Sequence, residues 1–154
     1  MASAMIERQK NDLLRDITSL GSLFAYLLLI SFFLIQKKYD VSTKLIIGLV
    51  VIYIATILIK SIYFKNRPEK IAYSSFIEKL DASSFPSLHT SRIIFLSAVL
   101  IKYYGNIYFS VLIVLLAIAI PYSRIYLRKH DIKDAIAGIV FGIAVYFVVN
   151  AFFQ

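Results

Sequence analysis

Three runs in this chain are too long and too free of charge to belong to a water-soluble fold. Ile17–Gln36, Tyr103–Ser123 and Ala135–Gln154 contain no Asp, Glu, Lys or Arg. An α-helix needs about 20 apolar residues to cross roughly 30 Å of hydrocarbon, and each run meets that length. Two further runs, Leu45–Phe64 and Pro86–Ile101, are interrupted by one cation each, Lys60 and Arg92. Five spans are therefore expected. Composition agrees: 60% of the residues are hydrophobic and 17% charged, against about 45–50% and about 25% in soluble domains. Lipid is the solvent for most of this surface.

The expected fold is an all-α, integral-membrane helical bundle forming one domain over residues 1–154. Residues 1–16 make an interfacial segment, because Ile6, Leu13, Ile17 and Leu20 recur at helical spacing among mixed charges. That mixture, and the length of the first run, argue against a cleavable signal peptide. The absence of Cys removes disulfides, thiolate metal sites and a cysteine nucleophile. Seventeen Lys+Arg against nine Asp+Glu leave a net charge of +8. That charge suits an anionic partner, namely a nucleic acid, an anionic lipid or a phosphorylated substrate. Nucleic acid is set aside, since the basic residues stand at membrane mouths.

Successive spans alternate in direction, which gathers the unusual polar residues on one face. Lys60, Arg67 and Pro68 lie where the second span leaves the membrane, and Pro86, Ser87 and His89 where the third enters. Ser123 and Arg124 close the fourth span, while His130 and Asp134 open the fifth. Pro68 should stop the second helix near Asn66, leaving Lys60 and Arg67 able to reach one anion. Ser83 or Ser84 is expected to cap the third helix, whose N-terminal N–H groups would cradle phosphate around Ser87. His130 and Asp134 are four residues apart, so Asp134 can accept the Nδ1 proton and leave Nε2 as nucleophile or base. Arg124 completes an anion clamp. Each cluster alone has an ordinary explanation as interfacial anchor, helix cap or surface pair. Both histidines of the chain falling in clusters on one face is what the ordinary explanations do not cover. The polar stretch Lys65–Phe85 on the same face is long for so compact a chain.

These residues resemble the type 2 phosphatidic acid phosphatase superfamily of integral-membrane lipid phosphate phosphatases. Lys60, six residues, then Arg67-Pro68 matches the first part of its signature. Pro86-Ser87-Leu88-His89 matches the second, and Ser123-Arg124, five residues, His130, three residues, Asp134 the third. Many members have six spans; here the amphipathic segment stands in place of the first. The resemblance implies a two-step hydrolysis without metal or other cofactor. His130 attacks phosphorus, Asp134 fixes its tautomer, and His89 protonates the leaving oxygen and then helps activate water. Lys60, Arg67, Ser87, Leu88 and Arg124 hold the phosphoryl oxygens. Leu88 departs from the pattern: the family has glycine there, which lets phosphate approach the backbone closely.

The expected partners are the bilayer and a membrane lipid phosphate. Lys65, Arg92, Arg128 and Lys129 lie near the signature cations, and Arg92 follows His89 by three residues, giving a possible additional anion contact. This surplus favours a polyprenyl diphosphate over phosphatidylglycerophosphate, phosphatidic acid or a sphingoid phosphate. A lipid headgroup phosphotransferase would use the same residues. A non-catalytic lipid-binding or scaffold protein would not need both His130 and Asp134. The expected location is the cell membrane. Cations on the signature face outnumber Lys37, Lys38, Lys44 and Lys102 on the other, which places the site in the cytoplasm by the positive-inside rule. Carrier-lipid phosphatases of this family often work on the outer face, so the side stays open, as does the oligomeric state.

Overall fold

The computed structural model describes residues 2–153, with side chains from residue 5. Met1 and Gln154, the outer ends of the expected interfacial segment and fifth span, lie outside the described residues. Seven helices follow one another: α1 (Ala2–Ser19), α2 (Leu23–Ile35), α3 (Tyr39–Ile62), α4 (Phe76–Ala82), α5 (Leu88–Tyr104), α6 (Ile107–Tyr126) and α7 (Ile132–Ala151). The all-helical expectation holds. The five expected spans fall on α2, α3, α5, α6 and α7, but only three of these, or four with α1 and α2 taken together, are long and apolar enough to cross a membrane.

These five helices are unequal. By length and composition, α3, α6 and α7 can each cross a membrane on their own, and α1 with α2 forms a pair bent by 42° that could make a fourth crossing. The bend falls at Leu20–Ser22, where Ser22 caps α2 by accepting a hydrogen bond from the Ala25 N–H. The α2 helix is accordingly shorter than the run Ile17–Gln36, and α1 continues past residue 16 to Ser19.

The central helix, α5, has only 17 residues and rises about 25 Å. It packs against α3, α6 and α7 and buries Ile93, Phe95, Leu96, Val99 and Leu100. A helix ringed by protein can carry polar residues that lipid would not tolerate. Thr90, Ser91, Arg92 and Ser97 are indeed buried on it. Its C-terminus is set by Gly105 in the left-handed conformation (φ +58°).

Two glycines four residues apart on α7 bring that helix against α5. A Cβ at Gly138 would lie 2.8 Å from the Ser87 carbonyl oxygen, and one at Gly142 would lie 2.6 Å from that of Ser91. Backbone approaches this close are how membrane helices associate when the hydrophobic effect cannot drive them together. The seam ends at Ser87 and Asp134, where the Ser87 N–H donates to the Asp134 carbonyl at 3.1 Å.

Candidate active site

The α3 helix stops at Ile62, four residues before the expected end. Residues 63–67 continue as extended chain, so Arg67 reaches the site from a loop rather than from a helical turn above Lys60. The loop is tied down by two buried serines. The Ser84 N–H donates to the Lys65 carbonyl at 2.8 Å, and the Ser83 hydroxyl accepts from the Lys65 N–H at 3.3 Å. Ser83 and Ser84 therefore do not cap α5, whose N-cap is Ser87. Part of the long polar stretch is also helical. Ser75 and Glu78 form a capping box that opens α4, a Ser-x-x-Glu pattern visible in the sequence.

Lys60 is buried and donates to the carbonyls of Ser83 at 2.8 Å and Leu80 at 3.2 Å. Arg67 donates through Nη2 to the Asp81 carbonyl, with the Asp81 carboxylate 3.6 Å away. Ser87 caps α5 without a side-chain hydrogen bond to its first turn, and its hydroxyl accepts instead from Thr90 at 2.9 Å. The free N–H groups at this helix start thus stay available for an anion. Leu88, half-buried, packs against the hydrophobic core, so the side chain in place of glycine is accommodated within the bundle. His89 follows, half-buried, within the electrostatic reach of Arg124, Arg92, His130 and Arg67.

His130 sits in the turn between α6 and α7, only 3% exposed. Its Nε2 faces Arg124 Nη2 at 3.5 Å, and its Nδ1 faces Asp134 Oδ2 at 3.7 Å. A guanidinium can only donate, so Nε2 carries the lone pair and the ring proton belongs on Nδ1. The distance to Asp134 is that of a facing charge, longer than the expected hydrogen bond. Burial pulls the His130 pKa below the ordinary histidine value; the Asp134 carboxylate opposes this, and Arg124 and Arg67 add to it.

Asp134 is fully buried and held from three sides. Lys65 Nζ donates to its Oδ1 at 2.8 Å, the Asp131 N–H donates to its Oδ2 at 3.0 Å, and His130 faces the same Oδ2. Asp131 returns the bond, accepting from the Asp134 N–H at 2.9 Å to form a capping box at the start of α7. Lys65 also reaches Asp131 at 2.5 Å. Burial would lower the Lys65 pKa, but these two carboxylates outweigh it and raise the pKa above the usual lysine value. Lys65 thus supports Asp134 and is not a spare cation for a second phosphate. Its partner lies 69 residues away, and nothing in the local sequence points to it.

Two other cations of the expected surplus also have partners. Lys129 pairs with Glu69 at 2.5 Å, tying the loop after α6 to the loop after α3. Arg92 donates to the Tyr53 hydroxyl at 2.7 Å and to the Gly21 carbonyl at 2.9 Å, inside the bundle. Its charge is felt at His89 and Arg124, but its guanidinium is turned to α3 and the α1–α2 bend. Arg128 is exposed and occupies the left-handed conformation (φ 54°). This is the position after a helix C-cap, which usually takes glycine.

Buried polar atoms normally find partners. Among the described residues six buried side-chain nitrogens or oxygens lack one, and four of the six are Arg67 Nε, Arg92 Nε, Arg124 Nε and His130 Nδ1. A cavity of about 840 Å³ opens beside His130, lined also by Lys65, Arg128 and Asp131 with Tyr63, Phe85, Ile125 and Ile132. An apolar cleft of about 530 Å³ runs on between α5, α6 and α7 and shares Ile125 and Ile132 with it. The arrangement is that of a helical membrane protein with a candidate anion site, in which cations stand around a buried imidazole beside an apolar cleft.

That class of protein has a family. The family model described as the PAP2 superfamily matches residues 41–154, and the chain belongs to it. The structure is similar to that of the transmembrane PAP2-type phosphatidylglycerolphosphate phosphatase from Bacillus subtilis, with a TM-score of 0.75 and 21% identity over 94% of this chain and 76% of that one. It is also similar to LpxE from Aquifex aeolicus, with a TM-score of 0.77 and 20% identity over 93% of this chain and 86% of that one. No curated protein matches. The chain is an integral-membrane protein with the PAP2 membrane lipid phosphatase fold.

Proposed function

We propose that the protein hydrolyses the terminal phosphate of a membrane lipid through a phosphohistidine at His130. The observation that carries this reading is the Arg124 guanidinium 3.5 Å from His130 Nε2, with the Nε atoms of Arg67 and Arg124 buried and unpartnered. A phosphoryl group placed there would accept from both guanidinium groups, from Lys60 and from the α5 N-terminus. Its phosphorus would face the unprotonated Nε2 of His130.

In the first step His130 Nε2 attacks phosphorus, the bond to the leaving oxygen breaks, and His89 gives that oxygen its proton. In the second, water attacks phosphorus as His89 takes its proton, the P–N bond breaks, and phosphate departs with His130 and His89 both restored. Asp134 stabilises the Nδ1 proton as the ring gains positive charge. Arg67, Arg124 and Lys60 stabilise charge on the equatorial oxygens. No metal enters this scheme.

A single terminal phosphate, as in a phosphatidylglycerophosphate-type lipid, fits the three clamp cations. A polyprenyl diphosphate remains the second reading. The observation that favours it is Arg128, which lines the cavity beside His130 without a side-chain partner of its own among the described residues. The apolar cleft suits the lipid tail. The test is phosphate release by purified protein in detergent with EDTA, from phosphatidylglycerophosphate, polyprenyl diphosphate and phosphatidic acid. His130→Ala should abolish release from whichever lipid is used. Activity surviving in His130→Ala would overturn the nucleophile assignment. Activity lost to EDTA and restored by a divalent cation would overturn the metal-free scheme.

A further inference from the structure

At the end of the bundle opposite His130, the chain has only four cations, Lys37, Lys38, Lys44 and Lys102. Three of them, Lys38, Lys44 and Lys102, line one cavity of about 320 Å³. The cavity lies where the start of α3 meets the ends of α5 and α7. Val41 and Val99, both buried, floor it, and Tyr103, Tyr146 and Asn150 supply hydroxyl and amide groups. Asp40 is the one carboxylate on the wall, so the local balance is positive.

Ordinary interfacial anchoring accounts for part of this but not all. Lys102 stands in the last turn of α5, where a cation favourably meets the helix dipole. Lys38 and Lys44 stand at the opposite pole. Lys38 is the N-cap of α3, and Lys44 lies in its second turn. A cation at the N-cap, as at Lys38, faces the positive end of the helix dipole and costs it stability. Lys44 does not point away to solvent either. It is half-buried, with Nζ 3.5 Å from the Asn150 side-chain oxygen on α7 and 5.5 Å from the Phe153 ring centroid. Three lysines thus line one concavity with a single carboxylate among them, and this surplus of positive charge suits an anion.

We infer that this cavity is a second phosphate-binding site, facing the leaflet opposite the active site. The ligand chemistry is a phosphate oxyanion held by Lys38, Lys44 and Lys102. The Tyr103 and Tyr146 rings are placed to border a headgroup at the membrane surface. A cavity near 300 Å³ is at the small end of ligand sites, which suits a phosphate with a short polar substituent. Basic pockets between membrane helices bind anionic headgroups in this way. The site owes nothing to the catalytic reading and stands or falls separately from it.

The test uses the full chain in nanodiscs of phosphatidylcholine, with and without phosphatidylglycerol, and counts retained anionic lipids by native mass spectrometry. The wild type should retain phosphatidylglycerol in two distinguishable populations. Lys44→Gln with Lys102→Gln should reduce one of them at least fivefold, while Arg67→Gln with Arg124→Gln should reduce the other. Lys44→Arg with Lys102→Arg should restore the first. A parallel arm adds inorganic phosphate to discs of phosphatidylcholine alone and follows the thermal midpoint. A lysine-dependent rise there makes soluble phosphate the ligand, and its absence alongside lysine-dependent lipid retention makes the headgroup the ligand. If the double variant does not fold, Lys102→Gln alone, on the exposed end of α5, carries the same comparison. Retention of phosphatidylglycerol and response to phosphate both unchanged by the lysine substitutions would overturn the site. So would an equal loss of phosphatidylcholine, which would make the lysines general anchors.

Discussion

The α7 helix has two sides that solve opposite problems. Toward α5 it presents Gly138 and Gly142, and the backbones touch so closely that no Cβ fits. Toward α6 it presents Ala135, Ile136 and Ile139 across an apolar cleft of about 530 Å³. The tight seam fixes the α5 start and the α7 start against each other, and with them Ser87 and Asp134. The loose cleft is lined almost wholly by apolar side chains. Pro121 lies within α6 beside the cleft and removes the backbone donor that would otherwise bond to Ala117. Close packing and open space thus occupy different sides of one helix.

The largest expected effect comes from breaking the seam. Gly142→Val places a branched side chain against the Ser91 carbonyl and the Ile94 side chain. Carbonyl oxygens on a packed helix cannot step aside, and overpacking costs about 1–3 kcal/mol even where some relaxation is possible. The purified variant should lose several degrees in thermal midpoint and show no measurable phosphate release. Ile118→Ala at the cleft, where Ile118 is 63% exposed, should leave the midpoint within a degree or two. Equal losses from both would show that the two sides are not different in kind.

Next in size is the support beneath His130. Lys65→Gln leaves the fully buried Asp134 carboxylate without its ammonium partner, and turnover should fall roughly 10- to 100-fold. KM should change less than kcat, because Lys65 reaches Asp134 rather than the clamp. A loss confined to KM would make Lys65 a substrate contact instead.

The pH profile sharpens the same point. A histidine with a lowered pKa stays neutral, and nucleophilic, to below its ordinary value of about 6.5. The acid limb of kcat/KM should therefore lie below that value, with activity falling as pH drops through it. Asp134→Asn removes the one group that opposes the shift, so its residual activity should show the limb displaced further toward acid. A limb above pH 7 in the wild type would contradict a buried neutral imidazole.

The grouping of the candidate residues was legible in the sequence because it uses rare residue types at fixed spacing. His130 and Asp134 lie four residues apart where the chain enters α7, and alternation of spans brings Lys60, Arg67 and Ser87 to the same end. What could not be read was how loops and helix faces meet. Lys65 looked like one cation among several, and only the path of residues 63–67 carries it to Asp134. Ser83 and Ser84 read as helix caps, but their hydroxyls serve the loop because α5 begins after Pro86. The Gly138/Gly142 spacing was present in the sequence as a close-approach signal, yet which helix it admits is a tertiary fact. Helix lengths went the same way. Hydropathy sees an apolar run but not the cap at Ser22, and it cannot tell that α5 is shielded from lipid by its neighbours.

The smallest expected effect tests the loose side directly. Ala98 lies in the cleft on α5, and Ala98→Phe would fill part of it without touching the clamp. A lipid tail leaving the bilayer for this cleft exchanges one apolar environment for another, so little hydrophobic free energy is at stake. What remains is packing, worth about 0.1–0.2 kcal/mol per atom pair. Blocking a handful of such contacts should raise KM for a long-chain lipid phosphate roughly threefold. A water-soluble substrate such as phenyl phosphate has no tail to place, and its kcat/KM should stay at the wild-type value. The ratio of the two is the readout, since it cancels any general loss of folded protein. If Ala98→Phe slows both substrates alike, the cleft is a packing defect rather than a path for the tail, and lipid must approach His130 from the side of Tyr63 and Phe85.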